Sequence, residues 1–362
     1  MIIAIADDIT GAAEIAGVAL RHGCSVDFSI NSVPVDNHAD VVVIATDTRS
    51  AAPSVAQETC RRLCRQAMSL NPQPLLFKKV DSVLRGNVGE ELSAILGATA
   101  FEKVLLLPQN PSRGRIISGG RYYVDGVELS KTAFACDPEF PAHTSEVSKL
   151  LHGSPSAVYI ADATTESEIQ SLVKQAPPST LVAGGADTFA AFLLAHNAAT
   201  AASSPFNSRL SVNALSGPLL AIQGSTQSRS LVATPPFCQF GGTEITMSDD
   251  VFHGAPPQTW LLHLKREWLH SSALAIRIGN HQAMGADYAS RLRQLTAIAT
   301  AELVDEKTPS TLIFEGGATA FAALSAMNWT TLSVEGEFAP GVVALRYGET
   351  IIVLKPGSYD WN

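Results

Sequence analysis

The sequence is poor in charge and has no long apolar run. Only 16% of its 362 residues are Asp, Glu, Lys or Arg, and the formal balance is −9. That balance argues against a nucleic-acid or anionic-membrane partner, since proteins that neutralise phosphate backbones carry an excess of Lys and Arg. A local basic pocket for a small anion stays open. No apolar stretch approaches the roughly 20 residues of a membrane span, and the first residues lack the basic lead and cleavage site of a signal peptide. The five cysteines, Cys24, Cys60, Cys64, Cys136 and Cys238, are scattered and odd in number. This fits reduced thiols in a cytoplasm rather than a disulfide framework. Cys60 and Cys64 can share a helix face, either as a buried thiol pair or as part of a metal site, but no histidine stands nearby in sequence. The nine histidines are dispersed, none is assigned a catalytic role, and no residue is assigned to a metal. Neither a P-loop ending in Gly-Lys-Ser/Thr nor a dinucleotide fingerprint of three spaced glycines occurs.

What is present is aliphatic, and its order is informative. Short apolar runs are expected as strands at Ile2–Ala6, Ser25–Ile30, Val41–Ala45, Leu75–Lys79, Val104–Leu107, Val158–Ile160 and Leu181–Ala183. Helical patterns fall between them at Gly11–Arg21, Val55–Ser69, Val88–Leu96, Ser145–Leu151, Glu166–Lys174 and Asp187–Ala195. Apolar strands without polar alternation, separated by helices, predict a parallel sheet covered on both faces. From Ala198 to Pro218 the pattern loosens into small and polar residues, and the alternation then resumes with strands at Leu219–Ile222, Ala273–Ile278 and Leu312–Phe314. A helix is expected from about Ala283 to Glu302, and a closing hairpin pairs Val342–Tyr347 with Thr350–Leu354. The fold class is α/β, with two domains, 1–205 and 206–362, each a mainly parallel sheet flanked by helices, with a cleft between them. Trp260, Trp268, Trp329 and Trp361 all lie in the second half and are read as core or interface residues, or one as an adenine-stacking ring.

In a parallel sheet, ligands collect beyond the carboxyl ends of the strands. The chemistry falls there. Asp7, Asp8, Thr10 and Gly11 follow the first strand, Thr46, Asp47, Thr48 and Arg49 the third, and Gln109 through Arg115 the fifth. The densest stretch is Phe77-Lys78-Lys79-Val80-Asp81-Ser82-Val83-Leu84-Arg85-Gly86-Asn87, after the fourth. Arg and Lys together suit a carboxylate or phosphate, while Asp81 can accept a proton, hold a sugar hydroxyl or bind a metal. Gly86 would let backbone approach a ligand, and the following helix offers its N-terminal amides to an anion. The plainer alternatives are a polar strand-to-helix turn with a structural ion pair, and capping of the first helix by Asp8 or Thr10. In the second half, Gly224-Ser225 and Gly316-Gly317-Ala318-Thr319 are strand-to-helix turns with the form of a phosphate cradle, or simply tight glycine turns.

The chain resembles the four-carbon acid sugar kinases, a two-domain bacterial family. The resemblance rests on Ala6-Asp7-Asp8-Ile9-Thr10-Gly11-Ala12, on Lys79-Val80-Asp81-Ser82-Val83-Leu84-Arg85-Gly86-Asn87 with Val83 where threonine is usual, on Gly114-Arg115, Gly120 and Val124-Asp125-Gly126-Val127-Glu128-Leu129, and on Asp137-Pro138. It implies an N-terminal domain that binds a sugar acid and a C-terminal domain that binds ATP with Mg²⁺. The family's turns correspond to Gly224-Ser225, Gly316-Gly317-Ala318-Thr319, Pro340-Gly341 and Lys355-Pro356-Gly357, with Ala318 in place of an acidic residue and Thr226-Gln227 where a small residue and serine are common. The implied reaction transfers the γ-phosphoryl of ATP to a terminal hydroxyl of a threonate, erythronate or 3-oxotetronate. Arg85 and Lys79 would hold the acid or the transferring group with Arg115 in support, and Asp81 or Asp8 would orient or deprotonate the hydroxyl. Asp7, Asp8, Thr10, Asp47, Arg49, Lys79, Asp81, Ser82, Arg85, Gly86, Asn87 and Arg115 form the expected acid site. Gly224, Ser225, Gly316, Gly317, Ala318, Thr319, Gly341, Lys355 and Gly357 form the expected nucleotide site. A degenerate binding protein, motivated by Ala318 and Gln227, and a lyase using Lys79 as a Schiff base are the competing readings. The composition is compatible with a homodimer.

Overall fold

The computed structural model describes residues 1–34, 37–137, 139–151, 153, 156–196, 209–224, 234–279 and 286–356. The chain forms two compact units, Met1–Phe206 and Asn207–Asn362. The expected boundary at 205/206 lies outside the described residues.

The first unit runs β1 (Ile2–Ala6), α1 (Ile9–Arg21), β2 (Val26–Ile30), β3 (Val41–Ala45), α2 (Pro53–Met68), β4 (Leu75–Lys79), α3 (Val88–Leu96), β5 (Lys103–Leu107), β6 (Arg115–Ser118), β7 (Arg121–Val124), β8 (Val127–Glu128), α4 (Val147–Leu150), β9 (Val158–Ile160), α5 (Glu166–Gln175), β10 (Thr180–Gly184) and α6 (Ala186–Ala195). Its main sheet has the order β2-β3-β1-β4-β10-β5-β9, with every one of these neighbours parallel. Every residue of β1 and β3 is buried, as expected of strands covered on both faces. The chain leaves β1 for β2 on one side and crosses from β3 to β4 on the other, so the order reverses at β1. Helices α1, α6 and α5 adjoin one another, as do α2 and α3. The registers Ala6↔Ala45, Ala6↔Lys79, Gly184↔Lys79 and Gly184↔Leu107 align four neighbouring strand ends with that of β1. The residues that follow therefore emerge side by side at a topological switch point.

A small antiparallel sheet, β6-β7-β8, has no counterpart among the expected strands. Its strands are two to four residues long, too short for a period to register. The turn between β7 and β8 does carry a signal that could have found it: Asp125 and Gly126 have φ of 50° and 78°, the mirror-image turn that Asp-Gly favours between strands. The helix expected over Ser145–Leu151 shortens to the four residues of α4.

The second unit runs β11 (Leu219–Gln223), α7 (Pro235–Cys238), β12 (Thr243–Thr246), α8 (Asp249–Phe252), α9 (Gln258–His270), β13 (Ala273–Arg277), α10 (Ala286–Glu306), β14 (Thr311–Glu315), α11 (Gly317–Ala326), β15 (Thr331–Ala339), β16 (Val342–Tyr347) and β17 (Thr350–Lys355). Its strand order is β12-β13-β11-β14-β17-β16-β15, parallel through β17 and antiparallel across β16 and β15. The expected hairpin of β16 and β17 forms in register, Tyr347↔Thr350. Strand β15 was not expected, because Gly336 sits at its middle and the pairing shifts at Val334/Gly336 and Glu337/Ala339; glycine in a strand interior marks such bulges. Helix α9 was also missed, although Trp260, Leu264 and Trp268 recur every fourth residue and are buried, which fits the core reading of those two tryptophans.

Candidate functional site

The site begins at the end of β1. Asp8 caps α1 by accepting the Gly11 amide at 2.8 Å and the Thr10 hydroxyl at 2.5 Å, so the capping reading of Asp8 is correct. Capping does not exhaust it, because the same carboxylate meets Arg49 Nη2 at 2.9 Å. Asp7, 2% exposed, accepts Arg49 Nε at 2.7 Å, and its main-chain oxygen takes the amides of Thr48 and Arg49 at 2.9 and 3.2 Å. The adjacent aspartates thus fasten both the side chain and the backbone of the loop after β3. Asp47 opens that loop in the left-handed region, φ 52°.

The loop after β4 closes the other side. Asp81 Oδ2 accepts Arg85 Nε at 3.0 Å and the amides of Val83 and Arg85 at 3.1 and 3.2 Å, while Oδ1 accepts Arg85 Nη2 at 2.8 Å. Arg49 Nη2 lies 3.6 Å from the same Oδ1. Burial would raise the Asp81 carboxyl, but Arg49 and then Arg85 outweigh it and hold it well below the usual carboxylate range. Burial would likewise lower both guanidinium groups, and their aspartates keep them charged. Arg85 Nη1 also donates to Asp137 at 3.0 Å. Arg115 Nη1 donates to the Ser82 hydroxyl, whose residue also receives the Tyr122 hydroxyl on its carbonyl. The Phe134 ring lies 5.7 Å from the Arg85 guanidinium and 5.6 Å from that of Arg115, within cation–π reach.

Gly86 and Asn87 both serve this scaffold. Gly86 has φ 82°, and a Cβ there would lie 2.8 Å from Cγ and O of Arg49, so the close approach is to Arg49. The Asn87 amide donates to the carbonyls of Thr48 and Ala51, both at 2.8 Å, tying α3 to the β3 loop.

The two lysines point to opposite faces of β4, as consecutive strand residues must. Lys78, fully buried, meets Glu91 of α3 at 2.8 Å, and Glu91 also accepts the Thr48 hydroxyl. Burial raises the Glu91 carboxyl, while Glu91 outweighs the opposite effect of burial on Lys78 and raises it too. Below this pair, burial pushes the Cys64 thiol up to about 12, and with the buried Cys60 it is a core thiol. Lys79, expected to hold an anion, is 3% exposed; it donates to the Val80 carbonyl at 3.0 Å and lies 3.4 Å from Glu14 of α1. Arg113 Nε approaches the other Glu14 oxygen at 3.6 Å. Glu14 was not singled out from the sequence, although it is the one charged residue between Thr10 and Leu20. A Cβ on Gly11 would come 2.5 Å from Asp8 Oδ1 and 3.2 Å from Lys79 Nζ, so only glycine fits there.

In the second unit, Gly224 and the turn at Gly316 lie side by side. The Gly224 amide donates to Glu315 at 3.0 Å, and a Cβ on Gly224 would fall 1.8 Å from Thr319 Oγ1. Gly316 has φ 120° and caps α11 with no side-chain acceptor. The amides of Gly317, Ala318 and Thr319 therefore open the helix as an anion-binding terminus would, and Ala318 is exposed. A row of side chains, of which Lys355 alone is expected from the sequence, crosses the same sheet edge. Lys355 Nζ meets Glu315 at 2.7 Å, Gln223 donates to Glu315 at 3.0 Å, and Arg277 donates to Gln223 at 3.0 Å and to Glu244 at 2.8 Å. Gly341 instead sits at the tip of the β15–β16 hairpin with φ 86°, its amide donating to Glu337 at 3.2 Å. Ser225 and Gly357 lie outside the described residues, as do Pro138, Trp361 and Thr226-Gln227.

Residues 2–156 match the family of sugar-binding N-terminal domains. A D-threonate kinase of Salmonella typhimurium is 31% identical over 150 residues, 41% of this chain and 36% of that protein. A D-erythronate kinase of Heliobacterium modesticaldum is 34% identical over 158 residues, 41% of this chain and 35% of that protein. The chain thus spans little more than a third of the length of these curated relatives in the matched stretch. A crystal structure of a Haemophilus influenzae protein from a family of unknown function superposes with a TM-score of 0.72 at 19% identity, covering 98% of this chain and 96% of that one, a likeness of fold. Among the described residues no helix is long and apolar enough to cross a membrane.

Proposed function

We propose, on the premise that residues 2–156 belong to the sugar-binding N-terminal domain family, that this protein is an ATP-dependent kinase acting in the cytoplasm. Its acceptor is a terminal hydroxyl of a small sugar acid of the threonate, erythronate or 3-oxotetronate type. The observation that carries the reading is the cluster of Arg49, Arg85 and Arg115 at the switch point, the first two held by Asp7, Asp8, Asp81 and Asp137 and the third bonded to Ser82. Arg49 and Arg85 keep 17% and 28% of their side-chain surface exposed. They offer a preorganised fork to the substrate carboxylate, and the aspartates behind them remove the need to reorganise when it binds. Asp81, held below the usual carboxylate range by two guanidinium groups, is a weak proton acceptor and acts as their anchor. Lys79 works from behind, through Glu14 and the Val80 carbonyl.

The glycine turns fit a nucleotide. Gly224 can carry no side chain without striking Thr319, and the uncapped start of α11 leaves amides for phosphate oxygens. Gly224, Gly316, Gly317, Ala318, Thr319 and Lys355 would hold the phosphates of ATP. Mg²⁺ would arrive with the nucleotide, where it neutralises phosphate charge during transfer.

Coupled ADP release with ATP and Mg²⁺ across a panel of four-carbon sugar acids tests the proposal, with Arg85→Ala as control. Turnover of one acid, lost in the variant, supports it and names the substrate. Nucleotide binding without turnover of any acid would favour the degenerate reading that the exposed Ala318 keeps open. The Schiff-base reading loses its nucleophile, because Lys79 is buried against Glu14.

A further inference from the structure

The kinase reading needs a carboxylate that can take the proton of the attacking hydroxyl, and the residues expected for that task are engaged elsewhere. Asp81 is held by Arg85 through two side-chain hydrogen bonds of 2.8 and 3.0 Å. Asp8 caps α1 and pairs with Arg49 at 2.9 Å. Asp7 is 2% exposed beneath Arg49, and Asp137 accepts Arg85 at 3.0 Å while also receiving the amides of Glu139 and Phe140. A carboxylate whose lone pairs are filled by fixed guanidinium donors is a poor base.

Glu14 differs in how it is held. Its side chain is 15% exposed, close to the 17% of Asp8 and Asp137, but its neighbours are two cations at the looser distances of 3.4 Å (Lys79) and 3.6 Å (Arg113). It stands on the second turn of α1, a 13-residue helix capped by Asp8 and packed through Ile9, Ala12, Ala13 and Ile15. That mounting gives the fixed position a proton acceptor requires. Gly11, one turn earlier, leaves the space between Asp8 and Lys79 free of a Cβ.

We infer that Glu14 is the general base, with Lys79 and Arg113 as the cations that flank its carboxylate, an inference that rests on the kinase reading. As the acceptor oxygen bonds to the γ-phosphorus and the bond from that phosphorus to the ADP oxygen breaks, the hydroxyl proton passes to a Glu14 carboxylate oxygen and from there to water. The products are the phosphorylated acid, ADP and one proton.

The test is steady-state ADP release by Glu14→Gln and Glu14→Asp beside the wild type, with calorimetric binding of the acid in the absence of nucleotide. Glu14→Gln is expected to lower kcat about a hundredfold or more. KM for either substrate and the Kd of the acid should stay within about threefold, the pattern of an interaction made only in the transition state. Glu14→Asp, which retracts the carboxylate by one methylene, should recover part of kcat and shows that charge at this position matters, not side-chain volume. A Glu14→Gln enzyme that keeps most of its kcat, or loses efficiency only through KM, overturns the inference and leaves the kinase reading standing. A wild type that binds the acid but never releases ADP overturns the kinase reading, and the inference falls with it.

Discussion

At the carboxyl edge of the N-terminal sheet, Arg49 and Arg85 are suspended from aspartates of the loops after β1 and β4 and from Asp137. At the carboxyl edge of the C-terminal sheet, glycine turns present backbone amides, and side chains of opposite charge alternate from Lys355 through Glu315 and Gln223 to Arg277 and Glu244. The first edge is made by side chains reaching across loops far apart in sequence. The second is made by backbone at Gly224 and at the turn from β14 into α11, with side chains already set opposite one another by the registers Gln223↔Glu315, Glu315↔Lys355 and Gln223↔Arg277. A rigid guanidinium fork suits a carboxylate of fixed shape, whereas a helix terminus tolerates any oxyanion. Under the proposed kinase reading, the first edge would select the acid and the second would receive the phosphates.

Arg85→Ala should break the contrast most severely. Asp81 loses two side-chain hydrogen bonds and Asp137 one, and acid-dependent ADP release should fall about a hundredfold or more. Calorimetric nucleotide binding should remain. Unimpaired turnover would mean that this edge does not hold the acid.

Lys78→Met tests how far the N-terminal edge depends on charge buried beneath it. Leaving Glu91 fully buried without its partner should cost about 3–5 kcal/mol in urea denaturation, and Lys78→Met with Glu91→Leu should recover most of that. A single variant as stable as the wild type would mean that Lys78 is not needed to neutralise Glu91.

On the other edge, Gly224→Ala forces a methyl against Thr319 and should weaken ATP binding about tenfold, roughly 1.4 kcal/mol. Acid binding should not change, and an unaltered nucleotide Kd would remove Gly224 from the nucleotide site.

The smallest effect is one of pH. Asp81 is held below the usual range in the folded state. Its contribution to stability is therefore fully present above the unfolded value of about 3.9 and is lost as pH falls from there towards the folded value. Asp81→Asn should flatten the acid limb of the stability profile below about pH 4, measured by thermal unfolding. An unchanged limb would assign the acid sensitivity to other carboxylates.

Much of this arrangement was legible. Runs such as Ile2–Ala6 and Val41–Ala45 carry no polar alternation, and they are the wholly buried strands. Gly224 and Gly316 announced tight turns, and the loops after β1, β3 and β4 announced chemistry. The sequence reads Lys79 and Gly86 as facing a ligand, and it does not show the neighbours that the fold brings to them, Glu14 and Arg49. Strand β15 escaped because Gly336 interrupts it at a bulge. Helix α9 could have been found from Trp260, Leu264 and Trp268, whose spacing follows one helix face.

By itself the sequence determined the buried parallel strands of the first unit, where tight glycine turns stand, and that carboxylates and arginines follow four strand ends, because period and turn chemistry act within about ten residues. Only the tertiary structure decided which of those groups meet. The order β3-β1-β4 brings Arg49 between Asp7, Asp8 and Asp81. The alternation of β4 sends Lys78 to Glu91 on α3 and Lys79 to Glu14 on α1. Those partners lie on separate elements, and only the packing of helices on opposite faces of the sheet brings them within reach of a charge.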